Sequence, residues 1–368
     1  MPGAGKTTRL AVDTNSYGDG YQHRATRGLN PARPEFSLQF PFVGASQLQE
    51  YDDFLKQYAA TGFWILPPGE PNEIFVYCDE WSASFNDKNN SQGLVGVFSA
   101  NFVRTFNPQP FAFPPNTYAT AWRDKVIEQG GTVGTEQFNR VNRLATALDQ
   151  AGVMAKLGFL YLFVAESQIQ AGIDLTRQVI GQWVNSPTWA AATGVKGDAV
   201  SAHFNTMFAP AAGPNYQRTN AFHAAWVSVA PVNGGGCVSG NNDSAYSRIL
   251  QNQTASPFNT TYECNSGATG GSVATPKNTG FYMAERSGEN AMAGYHNNIV
   301  LQQATTPSTA NNTFTHRILA NITTSGTISK FSNATVAVGV AGLSLTPAER
   351  NALFNALTSY LSWWDIAP

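Results

Sequence analysis

Residues 16–30 read Ser-Tyr-Gly-Asp-Gly-Tyr-Gln-His-Arg-Ala-Thr-Arg-Gly-Leu-Asn. Gly18, Asp19 and Gly20 suit a tight reversal with positive φ, and Tyr17 and Tyr21 bracket it with large aromatic faces. Beyond it, Pro31 and Pro34 withhold ladder donors, and Phe36-Ser37-Leu38-Gln39-Phe40-Pro41-Phe42 alternates with period two, which predicts a half-buried strand. Ser46 followed by Gln49 opens a helix with a capping box. Leu48, Tyr51, Phe54, Leu55 and Tyr58 then recur at helical spacing, opposite Glu50, Asp52, Asp53 and Lys56, and Gly62 supplies the stop. That helix is expected to lie across a sheet made from 36–42, 63–66, 73–84 and 93–105. Ile74, Val76 and Cys78 share one face of the third segment, and Val95, Val97 and Phe102 mark the fourth. Asn86-Asp87-Lys88-Asn89-Asn90 between them reads as a polar loop tip.

Five separated elements thus keep one order. They are the Gly-Asp-Gly-Tyr loop, the Arg24-Ala25…Gly28-Leu29-Asn30 stretch, the helix, Phe63-Trp64-Ile65-Leu66-Pro67-Pro68, and Val76-Tyr77-Cys78-Asp79-Glu80-Trp81-Ser82. In that order residues 10–106 resemble the minor tail protein M family of lambda-like phages. The resemblance implies a tail-tube-like β-sandwich or open barrel with one flanking helix. It also implies six copies closed into the distal ring of the tail tube, at the tail tip of a virion assembled in the host cytoplasm. Such a ring needs one face of each subunit to complement a different face of its neighbour. Tyr17, Gly18, Asp19, Gly20, Tyr21, Arg24, Phe63 and Trp64 are the candidates for subunit or ring-to-ring contacts, with local packing inside one subunit as the alternative. Implied partners are further copies of the chain, the major tail tube protein, the hub or tip proteins, and the tape measure protein inside the channel.

The chain has 368 residues, for which two domains are the ordinary expectation. Charged residues make up 12%, about half the usual ~25%, while 42% are hydrophobic. A formal net charge of −2 offers no electrostatic footprint for sequence-specific nucleic-acid binding. No apolar run is long enough for a membrane span, and the N-terminus lacks the apolar core of a signal peptide. Gly5-Lys6-Thr7 has no glycine five residues earlier and no preceding strand, so it reads as a flexible arm and not a phosphate loop. Of the three cysteines, Cys78 is expected in the core, while Cys237 and Cys264 either form one bridge or stay free. The Asn-x-Ser/Thr triplets at Asn242, Asn252, Asn259, Asn311, Asn321 and Asn333 read as by-products of an Asn/Thr-rich β surface.

Residues 107–117 hold four prolines and read as a semi-rigid linker between a domain at 1–106 and a module at 118–368. The module opens with helices at 121–130 and 136–152, the second striped by Phe138, Val141, Leu144, Ala145 and Leu148. Strand-like runs follow at 157–164, 202–208, 222–229, 245–250, 280–285, 294–301, 315–322 and 334–340, which predicts an antiparallel β-sandwich. The closing helix starts at a Thr346-Pro347-Ala348-Glu349 box and buries Leu353, Phe354, Leu357, Tyr360, Leu361 and Trp364. The helix with Leu144…Leu148…Gly152, the strand Leu157–Phe163, and the passage from Val336-Ala337-Val338-Gly339 through Leu343-Ser344-Leu345 into that box resemble the concanavalin A-like (laminin G-like) modules of some phage structural proteins. The Gly/Asn-rich stretch 231–279 departs from that pattern and reads as a long loop.

No catalytic constellation emerges, and neither a cofactor nor a metal is implied. Asp79 and Glu80 are adjacent and point to opposite strand faces. Glu285 and Glu289 flank a Ser-Gly turn and read as a surface pair. Five scattered histidines lack zinc spacing, and Asp243 among Asn241, Asn242 and Ser244 reads as a solvated turn before it reads as a calcium site. No Gly-x-Ser-x-Gly elbow is present. Recognition remains: aromatic rings stack on sugars while amides and hydroxyls bond their hydroxyl groups. Trp226 is assigned to the core, and Tyr216, Tyr246 and Tyr262 are the candidate glycan-binding residues. The sequence therefore reads as a non-enzymatic virion protein with a sugar-binding module for the host surface. The alternatives are a purely structural brace and, third, a glycan-degrading enzyme.

Overall fold

The alternation around Phe36 and the period of the helix after it are both realised in the computed structural model. It describes residues 3–10, 12–16, 22–26, 32–58, 62–66, 74–86, 95–104, 115–232, 236–242, 244–252, 258–268, 271–275 and 279–367. The chain divides into two compact units, Met1–Phe113 and Pro114–Pro368. Both are built on antiparallel sheets, and the protein is mainly β.

In the first unit, β1 (Gly3–Leu10), β2 (Val12–Ser16), β3 (Gln22–Thr26) and β4 (Ala32–Gly44) precede α1 (Ala45–Tyr58), and β5 (Phe63–Ile65), β6 (Ile74–Asn86) and β7 (Val95–Arg104) follow it. Five strands form one sheet in the order β1-β4-β7-β6-β5, and β2 and β3 pair as a separate hairpin. Leu48 and Leu55 of α1 pack with Phe36, Ile74, Val76, Cys78, Phe98, Ala100 and Phe102. The segment read as a flexible arm is instead β1, with Gly5 opposite Ser37 and Lys6 opposite Phe36. Backbone pairing along the open edge of β4 needs no apolar side chains, so periodicity could not announce it. A bulge between Cys78 and Glu80 adds a second departure. One extra residue flips the parity of everything after it, so Trp81 joins the even-numbered Ile74, Val76 and Cys78 on the core side. Its indole N–H donates to Asp52 of α1 at 3.0 Å.

The second unit begins with α2 (Thr117–Glu128) and α3 (Thr135–Gln150), then β8 (Leu157–Leu162), the short α4 (Gln168–Ala171), β9 (Gln182–Val184), β10 (Thr188–Ala190), β11 (Gly194–Lys196), β12 (His203–Asn205) and β13 (Ala221–Val229). Next come β14 (Gly236–Asn241), β15 (Tyr246–Asn252), β16 (Phe258–Ser266), β17 (Ser272–Thr275), β18 (Gly280–Gly288), β19 (Ala291–His296) and β20 (Ile299–Ala304). The remainder is β21 (Arg317–Ile318), β22 (Asn321–Ile322), β23 (Ile328–Ser329), β24 (Thr335–Gly342) and α5 (Pro347–Ser362). One sheet of eight strands runs β10-β11-β24-β13-β18-β19-β20, with β8 also paired to β24. The other, of seven, runs β17-β16-β15-β14-β21-β12-β9.

Three layers result. Leu160, Leu162, Phe222, Ala224, Trp226, Met283 and Val340 face α2, α3 and α5, whose Trp122, Leu144, Leu148, Leu353 and Leu357 cover them. Phe159, Tyr161, Phe163, Ala225, Val227 and Tyr282 face the second sheet and meet Phe204, Val238, Ile249 and Tyr262. Successive residues of β8 thus serve opposite layers, and a strand covered on both faces reads as an unbroken apolar run. Thr346 and Glu349 make the reciprocal capping box that starts α5. α2 starts at Thr117, ahead of the expected 121, because the Asn116 side chain accepts from the Tyr118 N–H at 3.0 Å.

Two differences lie in the strands. The run 294–301 is a hairpin, β19 and β20, turned by Asn297 and Asn298 at φ 47° and 64°, which Asn tolerates. The stretch 231–279 is not a long loop: β14, β15, β16 and β17 lie within it. β15 answers the run expected at 245–250, while β14, β16 and β17 were hidden because residues they bury are polar, as with Thr260 against Thr275 at 3.2 Å and Thr261 against Ser272 at 2.8 Å. Cys237 and Cys264 sit in two of those strands as free buried thiols, pushed up to about 12 by burial.

A polar staple crosses the sandwich. His223 of β13 donates from Nε2 to the Glu263 carbonyl at 2.8 Å, so neutral His223 accepts at Nδ1 from Ser239 at 3.0 Å. Ser239 Oγ must then accept from His316 Nε2–H at 2.8 Å, which leaves His316 Nδ1 an acceptor with no partner among the described residues. Burial holds His223 down to about 4 and His316 well below the usual histidine range. Both rings are neutral in the fold and would charge when exposed, so this contribution is whole above pH ~6.5 and is lost as pH falls from there towards the depressed folded values. Urea denaturation followed by tryptophan fluorescence is expected to show the second unit losing up to about 1.4 kcal/mol per histidine for each pH unit between ~6.5 and ~4.5. His223→Gln should remove one histidine's share of that slope. The difference between the two proteins separates His223 from the buried Asp174 and Glu285.

Candidate functional site

Among the ring candidates, Tyr17, Gly18, Asp19, Gly20 and Tyr21 lie outside the described residues. Arg24 stands in β3 opposite Thr14, and Trp64 in β5 opposite Phe75. Phe63 turns its ring inward, edge-on to Phe54 at 5.0 Å and to Phe102 at 5.6 Å, which is the local-packing alternative.

Two of the three glycan candidates are corrected by burial. Tyr216 is 1% exposed and lies against Phe208 and the Cys264 thiol. Tyr262 is fully buried in mid-strand, stacked on Tyr282 at 6.4 Å and seated over Gly294, where any Cβ would meet its ring at 2.4 Å. Both rings fill the space between the sheets, because turn-like Gly/Asn neighbours did not put them on the surface. Tyr246 remains accessible at the start of β15. Arg248 lies over its ring at 4.7 Å, and Arg248 Nε is held by the buried Glu263 at 2.5 Å.

Tyr246 borders a groove of about 240 Å³ whose other walls include Asn242, Ser244, Ser266, Thr309 and Thr323–Thr324. It sits where β14 and β16 end, β15 begins, and the β22–β23 turn begins. Asn312, fully buried, builds one wall: its Oδ1 accepts from the Ser244 and Ala245 N–H groups at 2.9 and 2.8 Å, and its Nδ2 donates to the Asn241 carbonyl at 2.8 Å. Asn265, at φ 48°, builds another, donating to the Gln217 and Arg218 carbonyls and accepting from Ser247. Nothing in the sequence singled out these two asparagines, since both are ordinary members of an Asn-rich stretch. Asp243 lies outside the described residues.

A second cavity, about 380 Å³, is apolar, lined by Leu157, Met207, Phe208 and Pro214 with Arg177 and Asn215 at its rim. The polar groups of both rim residues are committed within the fold. Arg177 pairs with buried Asp174 at 2.6 Å, and the Asn215 amide donates to the Ala155 and Leu157 carbonyls.

Of the paired carboxylates considered, Glu285 is not at the surface. It is 4% exposed, pairs with Arg350 at 2.9 Å and accepts from the Leu345 N–H, whereas Glu289 is exposed and pairs with Arg218. Ser239 and His223 come within hydrogen-bond reach but both are fully buried, so no substrate can meet them. Among the described residues no group of His, Cys, Asp and Glu could hold a metal, and no helix is long and apolar enough to cross a membrane.

The chain is thus a mainly antiparallel β protein of two units, the second a β-sandwich with a helical layer. Residues 1–106 match the family described as phage minor tail protein, which supports a phage minor tail domain at this end of the chain and a structural role in a phage tail. No curated protein matches the sequence. Among solved structures, a Trypanosoma rangeli sialidase mutant displaying trans-sialidase activity is similar at 12% identity and a TM-score of 0.45, over 89% of this chain and 52% of its own. The binding domain of botulinum neurotoxin DC in complex with rat synaptotagmin II is similar at 12% identity and a TM-score of 0.38, over 55% and 52%. This chain therefore spans about half the length of each, and likenesses at these scores carry no inference about ligand or activity.

Burial separates the tyrosines by what they do. Tyr262→Ala is expected to cost about 3–5 kcal/mol in urea denaturation, as for other large buried rings, while Tyr246→Ala should stay within about 1 kcal/mol of the parent.

Proposed function

We propose that this chain is a structural protein of a long-tailed phage, whose first unit forms the distal ring of the tail tube at the tail tip and whose second unit is a concanavalin A-like module for host glycans. The family match over residues 1–106 carries the tail assignment. A tube end must present a closed circle of copies, and a sheet with one flanking helix offers each copy two unlike faces for heterologous contact. The ring is proposed to be sixfold, with the loop at Tyr17–Tyr21, Arg24 and Trp64 among its contacts. Its neighbours would be the major tail tube protein, the hub or tip proteins, and the tape measure protein in the channel.

Six outward modules would turn a weak sugar site into firm attachment through avidity. The proposed role is binding: the described lining of the groove beside Tyr246 offers hydroxyls and amides, which suit hydrogen bonds to a sugar. A second reading, a brace against a neighbouring tail protein, draws on Ile299 and Val300. These are 66% and 46% exposed on β20, the edge strand of the eight-stranded sheet.

Electron cryomicroscopy of the intact virion tests the assignment. Six copies are expected around the channel at the distal end of the tube, with the second unit directed away from the axis. Density for this chain in the capsid, or its absence from the particle, would overturn it.

A further inference from the structure

We infer that the groove beside Tyr246 is the sugar site, and that it takes one uncharged saccharide residue stacked on the Tyr246 ring; this inference rests on the glycan-binding reading above. The first support is an aromatic face fixed in advance. Arg248 lies over the ring at 4.7 Å and is itself anchored to fully buried Glu263, so a ligand meets a ring that is already oriented. Ordering a side chain on binding costs affinity, and this stacking avoids that cost.

The second support is the supply of polar partners. Among the described residues no bond occupies the side chains of Asn242, Thr309 and Thr324, three groups that border the groove. Between them they present an amide and two hydroxyls, each able to donate and accept, which is the match a sugar's hydroxyl groups require. The wall carrying Asn242 is braced, because fully buried Asn312 ties Ser244 and Ala245 to Asn241.

Charge decides the class of sugar. Every described residue of the lining is neutral, and the nearby cation, Arg248, is already paired with Glu263. A sialic or uronic acid would bring a carboxylate with no partner, and losing its water would go uncompensated. At about 240 Å³ the groove is smaller than the ~300 Å³ usual for drug-sized ligands, which fits one terminal or branching residue and not a chain laid along the surface.

The test uses the full chain on an array of neutral oligosaccharides (glucans, galactans and mannans) beside sialylated and uronate-containing ones. Affinities for any hits are then measured by titration calorimetry. Retention of neutral sugars is expected, weakened at least about tenfold by Tyr246→Ala and kept within about threefold by Tyr246→Phe, which preserves the stacking face. Thr309 is exposed, so Thr309→Trp fills the groove without touching the core and should abolish binding even if Tyr246→Ala proves hard to fold. Two outcomes overturn this site while leaving the glycan-binding reading in place: retention of anionic sugars alone, or neutral binding that neither variant changes. An array silent for every sugar overturns both.

Discussion

The second unit depends on one constraint: its eight-stranded sheet must be covered on both faces. Phe222, Ala224 and Trp226 of β13 face the helices, while Ala225 and Val227 between them face the other sheet. Neither cover suffices alone, since a bare face of that sheet would leave a row of large rings in water. The helical cover is bolted in place by more than apolar contact. Tyr360 of α5 donates its hydroxyl to the Val164 carbonyl at 2.7 Å and accepts from the Gln137 amide of α3 at 3.1 Å, so both helices are indexed to the end of β8. Hydrophobic burial supplies the driving force there, and these few directional bonds choose one arrangement among those that would bury similar area.

The other side of the sandwich is held differently. Between the sheets, the neutral His223–Ser239–His316 chain and several buried charges share the interior with aromatic rings. Arg286 is fully buried with no carboxylate partner among the described residues; it is satisfied by the carbonyls of Cys264, Gly288, Glu289 and Thr306. Such groups stabilise little relative to apolar ones of the same size, but removing a partner from any of them is costly. Their effect is to hold irregular segments in place. Arg286 gathers 288–289 and 306 around the end of β16, Asn312 gathers 241–245, and the Tyr246 groove lies among those held segments.

This division of labour bears on function. A fold indexed by buried polar bonds keeps its surface geometry fixed. The groove beside Tyr246, assembled from strand ends and turns, benefits most, because each wall belongs to a different stretch of chain. Among its described residues the first unit has a simpler build, with a five-stranded sheet, a two-stranded hairpin, one helix, and the Trp81–Asp52 bond joining that helix to the larger sheet. Its sequence match supports a place in a phage tail, whereas the role proposed for the second unit rests on the chemistry of its surface.

Much of the fold was legible before any coordinates. The helix at 45–58, the capping box of α5, the strand at 157–162 and the core placement of Trp226 follow from period, cap chemistry and apolar run length, which are local properties. Less of the site was legible. Of Tyr216, Tyr246 and Tyr262 only the second borders the groove, and Asn312 and Asn265 behind it gave no signal. β14, β16 and β17 were concealed because the polar residues they bury look like surface until their partners are known. The side on which Trp81 falls turned on one bulged residue, and β1 on an unfilled strand edge. Local sequence determined where the chain coils, extends and turns. Which faces were then covered was settled only in three dimensions, because burial belongs to pairs of distant segments and not to any one of them.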